Sequence, residues 1–197
     1  MTGSRRFSQA ISEGDGISVV AEVGDTAAAR AAEEQGAEAV KVTGVVAGLR
    51  EATSLPILWC AGGTPEQARE TGADAVLLVA EESGDDWEDL RRRHAAVLAL
   101  GLECVVDVGD EEELELALER IDPELFLLSS RRADEHEGAL DRVLDLLPDV
   151  PAGKLAIAEI ELASRDDVVA LERAGVDAVI VRSRNVAELV GGAAPGD

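Results

Sequence analysis

Four ionisable residues stand near the ends of strand-like runs in this chain, and their types suit proton transfer. Glu22 lies in ISVVAEV (17–23), Lys41 in AEAVKVT (37–43), Asp107 in ECVVDVG (103–109) and Glu159 in KLAIAEI (154–160). A carboxylate can act as a base, and an ammonium can protonate a substrate or face a developing oxyanion. Cys60 in PILWCAG (56–62) adds a thiol, and Ser129 in LFLLSSR (125–131) a hydroxyl. Arg131 closes that same run, while Arg182 and Ser183 end AVIVRS (178–183) and Arg184 follows. Guanidinium groups match carboxylate and phosphate through paired hydrogen bonds, so this set points to an anionic small molecule, phosphorylated or carboxylated.

These runs, with ADAVLLV (73–79), make eight, each followed by a helical segment. Eight such alternations predict an α/β fold, a compact (β/α)8 TIM barrel with short loops, in which chemistry sits at the C-terminal ends of the strands. Alternation along a strand aims every second side chain the same way. Ser18, Val20 and Glu22 therefore share a face, as do Leu155, Ile157 and Glu159, Val105 and Asp107, and Lys41 and Thr43. Three carboxylates are expected to converge at the barrel mouth with Lys41 as the buried cation, and Lys41 and Arg131 are their natural partners.

Punctuation between the runs agrees. Thr64-Pro65-Glu66-Gln67 predicts a helix start with a reciprocal cap. Asp110–Glu113 and Ser164–Asp167 predict a cap followed by an acidic first turn. Gly36, Gly72, Gly101 and Gly175 mark helix stops. Residues 1–16 form a lead-in with a helical patch around Phe7–Ile11, placed to cap the bottom of the barrel. The acidic stretches Glu81–Asp89 and Ala133–Gly138 are expected as solvated loops. One domain spanning 1–197 is expected.

Composition sets further bounds. Hydrophobic content of 46% supplies a core, and 41 acidic against 18 basic residues give a net charge of −23. Nucleic acid is disfavoured as a partner, since a polyanion would be repelled. No apolar run has the length of a membrane span and no signal peptide is read, so no membrane partner is expected. Two cysteines, Cys60 and Cys104, give no disulfide framework, which favours a cytoplasmic setting. Lys41 and Lys154 are the only lysines. That scarcity, with excess Asp and Glu, resembles proteins of salt-accumulating halophilic archaea, where hydrated carboxylates maintain solubility in screening salt.

The chain resembles the indole-3-glycerol-phosphate synthase family from Arg6 to about Leu189. The resemblance runs through RFSQAI, VVAEV, LREATSLPIL, TGADAVLLVA, VVDVGDEEELELAL, AEIELASRDDV and RAGVDAVIVRS. It implies a barrel that closes the indole ring of a carboxyphenylamino deoxyribulose phosphate in tryptophan biosynthesis, a carbon–carbon lyase reaction without a cofactor. Glu22 matches the family's first-strand glutamate, Asp107 its fifth-strand glutamate, Glu159 its seventh-strand glutamate and Arg131 the arginine after its sixth strand. Gly24 and Cys60 stand where the family has lysines, and Ser129-Ser130 replaces a pair of asparagines. Ile160-Glu161 replaces a phosphate-contacting Ser-Gly, and Arg182-Ser183-Arg184 a glycine-containing loop. The loop after the second strand is cut to Gly44–Val46.

A neutral thiol at Cys60 carries no positive charge for an oxyanion. Phosphate loops work through backbone N–H groups, and Glu161 would repel the ligand. Ring closure by the family's mechanism is therefore disfavoured, and three readings stay open. The chain is a diverged synthase-like barrel, a non-catalytic module binding a ligand or a protein partner, or an active enzyme using a relocated Lys41. In that last case Lys41 is an acid held by Glu22 and Glu159, or a Schiff-base former if its pKa is depressed; otherwise it is a structural ion pair. Cys60 is expected as a packed thiol rather than a nucleophile, because His94 and His136 lie far along the chain. Asp134–Glu137 is read as a charged loop without metal, since neighbours in a loop rarely converge on one ion. Arg131, Arg182 and Arg184 bind an anion or neutralise the carboxylates.

Overall fold

The computed structural model describes residues 6–13, 16–80, 87–130, 138–160, 165–182 and 186. Eight parallel strands close on themselves in chain order. They are β1 Ser18–Glu22, β2 Ala39–Val42, β3 Ile57–Trp59, β4 Ala75–Val79, β5 Glu103–Val108, β6 Leu125–Ser129, β7 Leu155–Glu159 and β8 Ala178–Arg182. β1 pairs with both β2 and β8, which completes the barrel. Helix α1, Arg6–Ser12, precedes β1. The helices α2 Thr26–Glu34, α3 Leu49–Ala52, α4 Pro65–Glu70, α5 Trp87–Ala99, α6 Glu111–Arg120, α7 Ala139–Leu146 and α8 Arg165–Ala174 each follow a strand. The expected (β/α)8 barrel is the observed fold.

Two cores follow from the two faces of the strands. Inward residues Val20, Ala39, Leu58, Val105, Leu127, Ile157 and Ile180 fill the barrel. Outward residues such as Val19, Val40, Val106, Phe126 and Val179 pack under the helices. Cys104 belongs to this outer layer, as its place in the alternation requires. Phe7 and Ile11 of α1 join the inner cluster with at most 1% exposure, so α1 stoppers the N-terminal end of the barrel. Burying two such side chains contributes about 1.5–3 kcal/mol each. Glu103, the first residue of β5, fixes α1 in place. Its carboxylate accepts from Phe7 N at 2.8 Å, from Ser8 N at 3.0 Å and from Ser8 Oγ at 2.5 Å. These bonds satisfy amides at the start of the helix that have no partner within it.

A repeated device ties the bottom of the barrel together. In GAEAV, GADAV and GVDAV, an acidic residue precedes an even-numbered strand and accepts an N–H from the strand before it in the ring or chain. Glu38 Oε2 accepts from Val19 N at 2.7 Å, Asp74 Oδ2 from Ile57 N at 3.0 Å, and Asp177 Oδ2 from Ala156 N at 2.7 Å. Asp74 also pairs with Arg6 at 3.3 Å and Arg50 at 3.1 Å. Burial pushes the Glu38 and Asp177 carboxyls above their ordinary range, although the N–H bonds pull the other way.

The helix signals are met where they can be seen. Thr64 and Gln67 form the reciprocal cap of α4, and Asp110 caps α6. The stop glycines all have positive φ; at Gly72, with φ 82°, a Cβ would also come within 2.9 Å of Arg50 Cγ. The acidic stretch 81–89 is not wholly loop. Trp87–Asp89 open α5, because Glu88 and Asp89 favour the positive end of the helix dipole. Gly138 is the N-cap of α7, whereas Ser164 and Ala133–Glu137 lie outside the described residues.

Candidate functional site at the barrel mouth

Strand register brings the chemistry-bearing residues to one end. Glu22 lies level with Lys41 on one side and Arg182 on the other, and Ser129 lies level with Glu159. Each sits two residues beyond a residue of the inner core: Val20 below Glu22, Ala39 below Lys41, Leu58 below Cys60, Val105 below Asp107 and Ile157 below Glu159. Inward aim at this height follows from the period of two.

Lys41 is the hub. Its side chain rises from the apolar interior, 5% of the residue is exposed, and its ammonium lies 3.2 Å from Glu22 Oε2. The same ammonium donates a hydrogen bond to Glu159 Oε1. Burial acts against the charged form, but the bond to Glu159 and the charges of Glu159 and Glu22 outweigh it. The ammonium is held above the ordinary lysine value of 10.5. This direction is opposite to the depressed pKa that a Schiff-base lysine needs.

Asp107 forms a second pair. It is buried, and Ser129 Oγ donates to its Oδ1 at 2.6 Å. The hydroxyl offers the carboxylate a hydrogen bond where β5 and β6 run side by side. Three carboxylates do reach the mouth: Glu22 and Glu159 pair with Lys41, and Asp107 accepts from Ser129. Ser129 thus acts on a neighbouring side chain, a role additional to the ligand contact expected of it. The alternation Val105/Asp107 beside Leu127/Ser129 carries the signal.

Cys60 follows β3 directly and is half-buried against the inner core. Burial, with Glu159, Glu22 and Asp107 nearby, pushes its thiol up to about 12 even though Lys41 pulls it down. It is a neutral thiol at physiological pH, and no histidine is bonded to it among the described residues. Arg182 ends β8 as an exposed residue at the rim. Arg131, Ser183, Arg184, Glu161 and His136 lie outside the described residues. Among the described residues no group of three metal-ligating side chains is assembled, and no helix is long and apolar enough to cross a membrane.

Residues 65–187 match the family model for indole-3-glycerol phosphate synthase. Over 173 residues the chain is 31% identical to the indole-3-glycerol phosphate synthase of Shouchella clausii (strain KSM-K16), covering 81% of this chain and 67% of that protein. Over 115 residues it is 38% identical to the enzyme of the same name from Variovorax paradoxus (strain S110), covering 58% of this chain and 42% of that protein. The chain thus spans about two thirds of the first relative and under half of the second. Among solved structures, an N-acetylmannosamine-6-phosphate 2-epimerase from Clostridium perfringens superimposes with a TM-score of 0.71 at 15% identity. That match covers 91% of this chain and 89% of the epimerase. A mandelate oxidase variant bearing an FMN adduct superimposes with a TM-score of 0.65 at 15% identity, covering 88% and 67%. At such identity these two speak for the barrel alone.

Proposed function

Since the chain belongs to the indole-3-glycerol phosphate synthase family, we propose that it keeps the family's barrel as a binding site while lacking the family's ring closure. The ligand is an anionic small molecule, carboxylated or phosphorylated, held at the rim by Arg182. The observation that carries this reading is the state of Lys41, which is committed to Glu22 and Glu159 and almost wholly buried. Ring closure needs a proton donor at the substrate carbonyl and a carboxylate base. Asp107 suits the second role. For the first, a thiol at about 12 stands where the family has a lysine, and the nearby ammonium is tied to two carboxylates.

A second reading keeps the reaction and assigns the acid to Lys41. The observation in its favour is that the ammonium sits among the same carboxylates that the family uses. A lysine at a raised pKa is a weaker acid, yet its fixed charge can still stabilise an oxyanion.

Binding separates a ligand site from an empty scaffold. Titration of the family substrate, a carboxyphenylamino deoxyribulose phosphate, should give saturable binding that Arg182→Ala weakens by about tenfold, the cost of one charge-assisted contact. No binding of substrate or product at millimolar concentration would sink the ligand-site reading and leave a protein partner as the occupant to seek.

A further inference from the structure

The end of the barrel opposite the mouth holds a cavity of about 860 Å³. It is bounded by α1, the C-terminal half of α5, the start of β5 and the segment between α6 and β6. That volume lies in the range of small-molecule sites. Its position, beneath the α1 stopper, separates it from the Glu22, Lys41 and Glu159 cluster.

The lining has an apolar part and a charge preference. Leu98, 50% exposed, is one of two large apolar side chains that stand out among the described residues, and it faces this cavity with Ile121. His94 lies one helical turn before Leu98 on the same face of α5 and also lines the cavity. It has no hydrogen bond or ion pair among the described residues, and burial lowers its pKa, so it presents a neutral imidazole. Glu13 and Glu124 stand at the exposed rim. No lysine or arginine is among the described lining residues. The neighbouring Lys154 is engaged by Asp122 at 2.7 Å and by Pro123 O at 2.8 Å.

Helix α5 points its carbonyl end at this space. Leu98, Ala99 and Gly101 line it, and the last turn of α5 contains no basic residue to offset the negative end of the dipole. The basic groups within reach are Lys154, paired with Asp122, and Arg93, whose charge reaches the lining residue Cys104. A cation here would find the Glu13 and Glu124 carboxylates, the negative end of α5 and an imidazole acceptor. We infer that this basal cavity binds a small organic cation, a primary ammonium or guanidinium group carried on a compact apolar body. The apolar body packs on Leu98 and Ile121, and the charge faces Glu13, Glu124 and the end of α5.

The probe is benzylammonium, titrated into the full chain while the Leu98 methyl and His94 ring signals are followed by NMR. Benzyl alcohol and benzoate are the neutral and anionic controls. Saturable shifts at both residues are expected, with benzoate bound at least about tenfold more weakly than benzylammonium. Leu98→Arg, at an exposed position that folding tolerates, places a cation in the cavity and should weaken benzylammonium by about tenfold or more. Absence of saturable shifts, a preference for benzoate, or unchanged affinity in a folded Leu98→Arg variant would each overturn the assignment. Loss of ligand binding at the mouth bears on neither result, because the two sites share no residue.

Discussion

At the scale of single residues, the mouth is a set of carboxylates whose partners decide what they can do. Glu22 and Glu159 neutralise Lys41, and Asp107 is kept in place by Ser129. A hydrogen bond to a buried charged group contributes about 1.5–3 kcal/mol. Ser129→Ala should therefore destabilise the protein by about 1.5–3 kcal/mol, read as a lower denaturant midpoint at unchanged slope. An unchanged midpoint would mean that water or another group replaces the hydroxyl. The inward aim of Glu22, Asp107 and Glu159 was legible from alternation, since a period of two leaves no other choice. For the partner of Asp107 the same alternation aims Ser129 inward as well, but the stagger between β5 and β6 that brings the two together is not encoded in residue types. Lys41 was legible as a buried cation; its raised pKa needed the actual distances to Glu159 and Glu22.

At the scale of elements, the bottom of the barrel is built by carboxylates that accept backbone N–H groups. Glu103 holds α1, and α1 holds Phe7 and Ile11 in the barrel. Glu103→Ala should cost about 1–3 kcal/mol and strip hydrogen-exchange protection from the Phe7 and Ser8 amides first. Equal protection in the variant would show that apolar packing alone seats the helix. The capping role of Glu103 was hidden in the sequence because 95 residues separate it from Ser8. Its neighbours in the chain show only a strand start. The helix caps at Thr64 and Asp110 were legible for the opposite reason, as both partners lie within three residues.

Glu38 and Asp177 add a pH dependence of definite sign. Their folded pKa values are raised above the ordinary 4.5 and 3.8, so the native state holds their protons more tightly than the unfolded chain. The stability they contribute is complete below those ordinary values and is lost as pH rises through the raised ones. Glu38→Gln with Asp177→Asn keeps an acceptor for each N–H and removes the charge. The double variant should gain on wild type as pH rises through that window and match it more closely in acid. A constant difference at all pH values would contradict the assignment.

At the scale of the whole molecule, a net charge of −23 acts on a single closed barrel. Self-repulsion opposes the compact state and is screened by salt. The thermal midpoint should rise steeply from dilute buffer to molar KCl, and equal midpoints would remove the likeness to salt-adapted proteins. The barrel itself was the most legible feature, because eight strand–helix alternations with capped helices admit few other topologies. The reaction is a separate matter: family membership carries the scaffold, and the proposed loss of ring closure rests on the commitment of Lys41 to Glu22 and Glu159. The most direct measurement is single-turnover fluorescence of the indole product from the family substrate, in molar KCl, with Lys41→Ala beside the wild type. No product above the uncatalysed rate from either protein is the expected result. Product from the wild type that Lys41→Ala abolishes would contradict it, and would make Lys41 the acid of an active synthase.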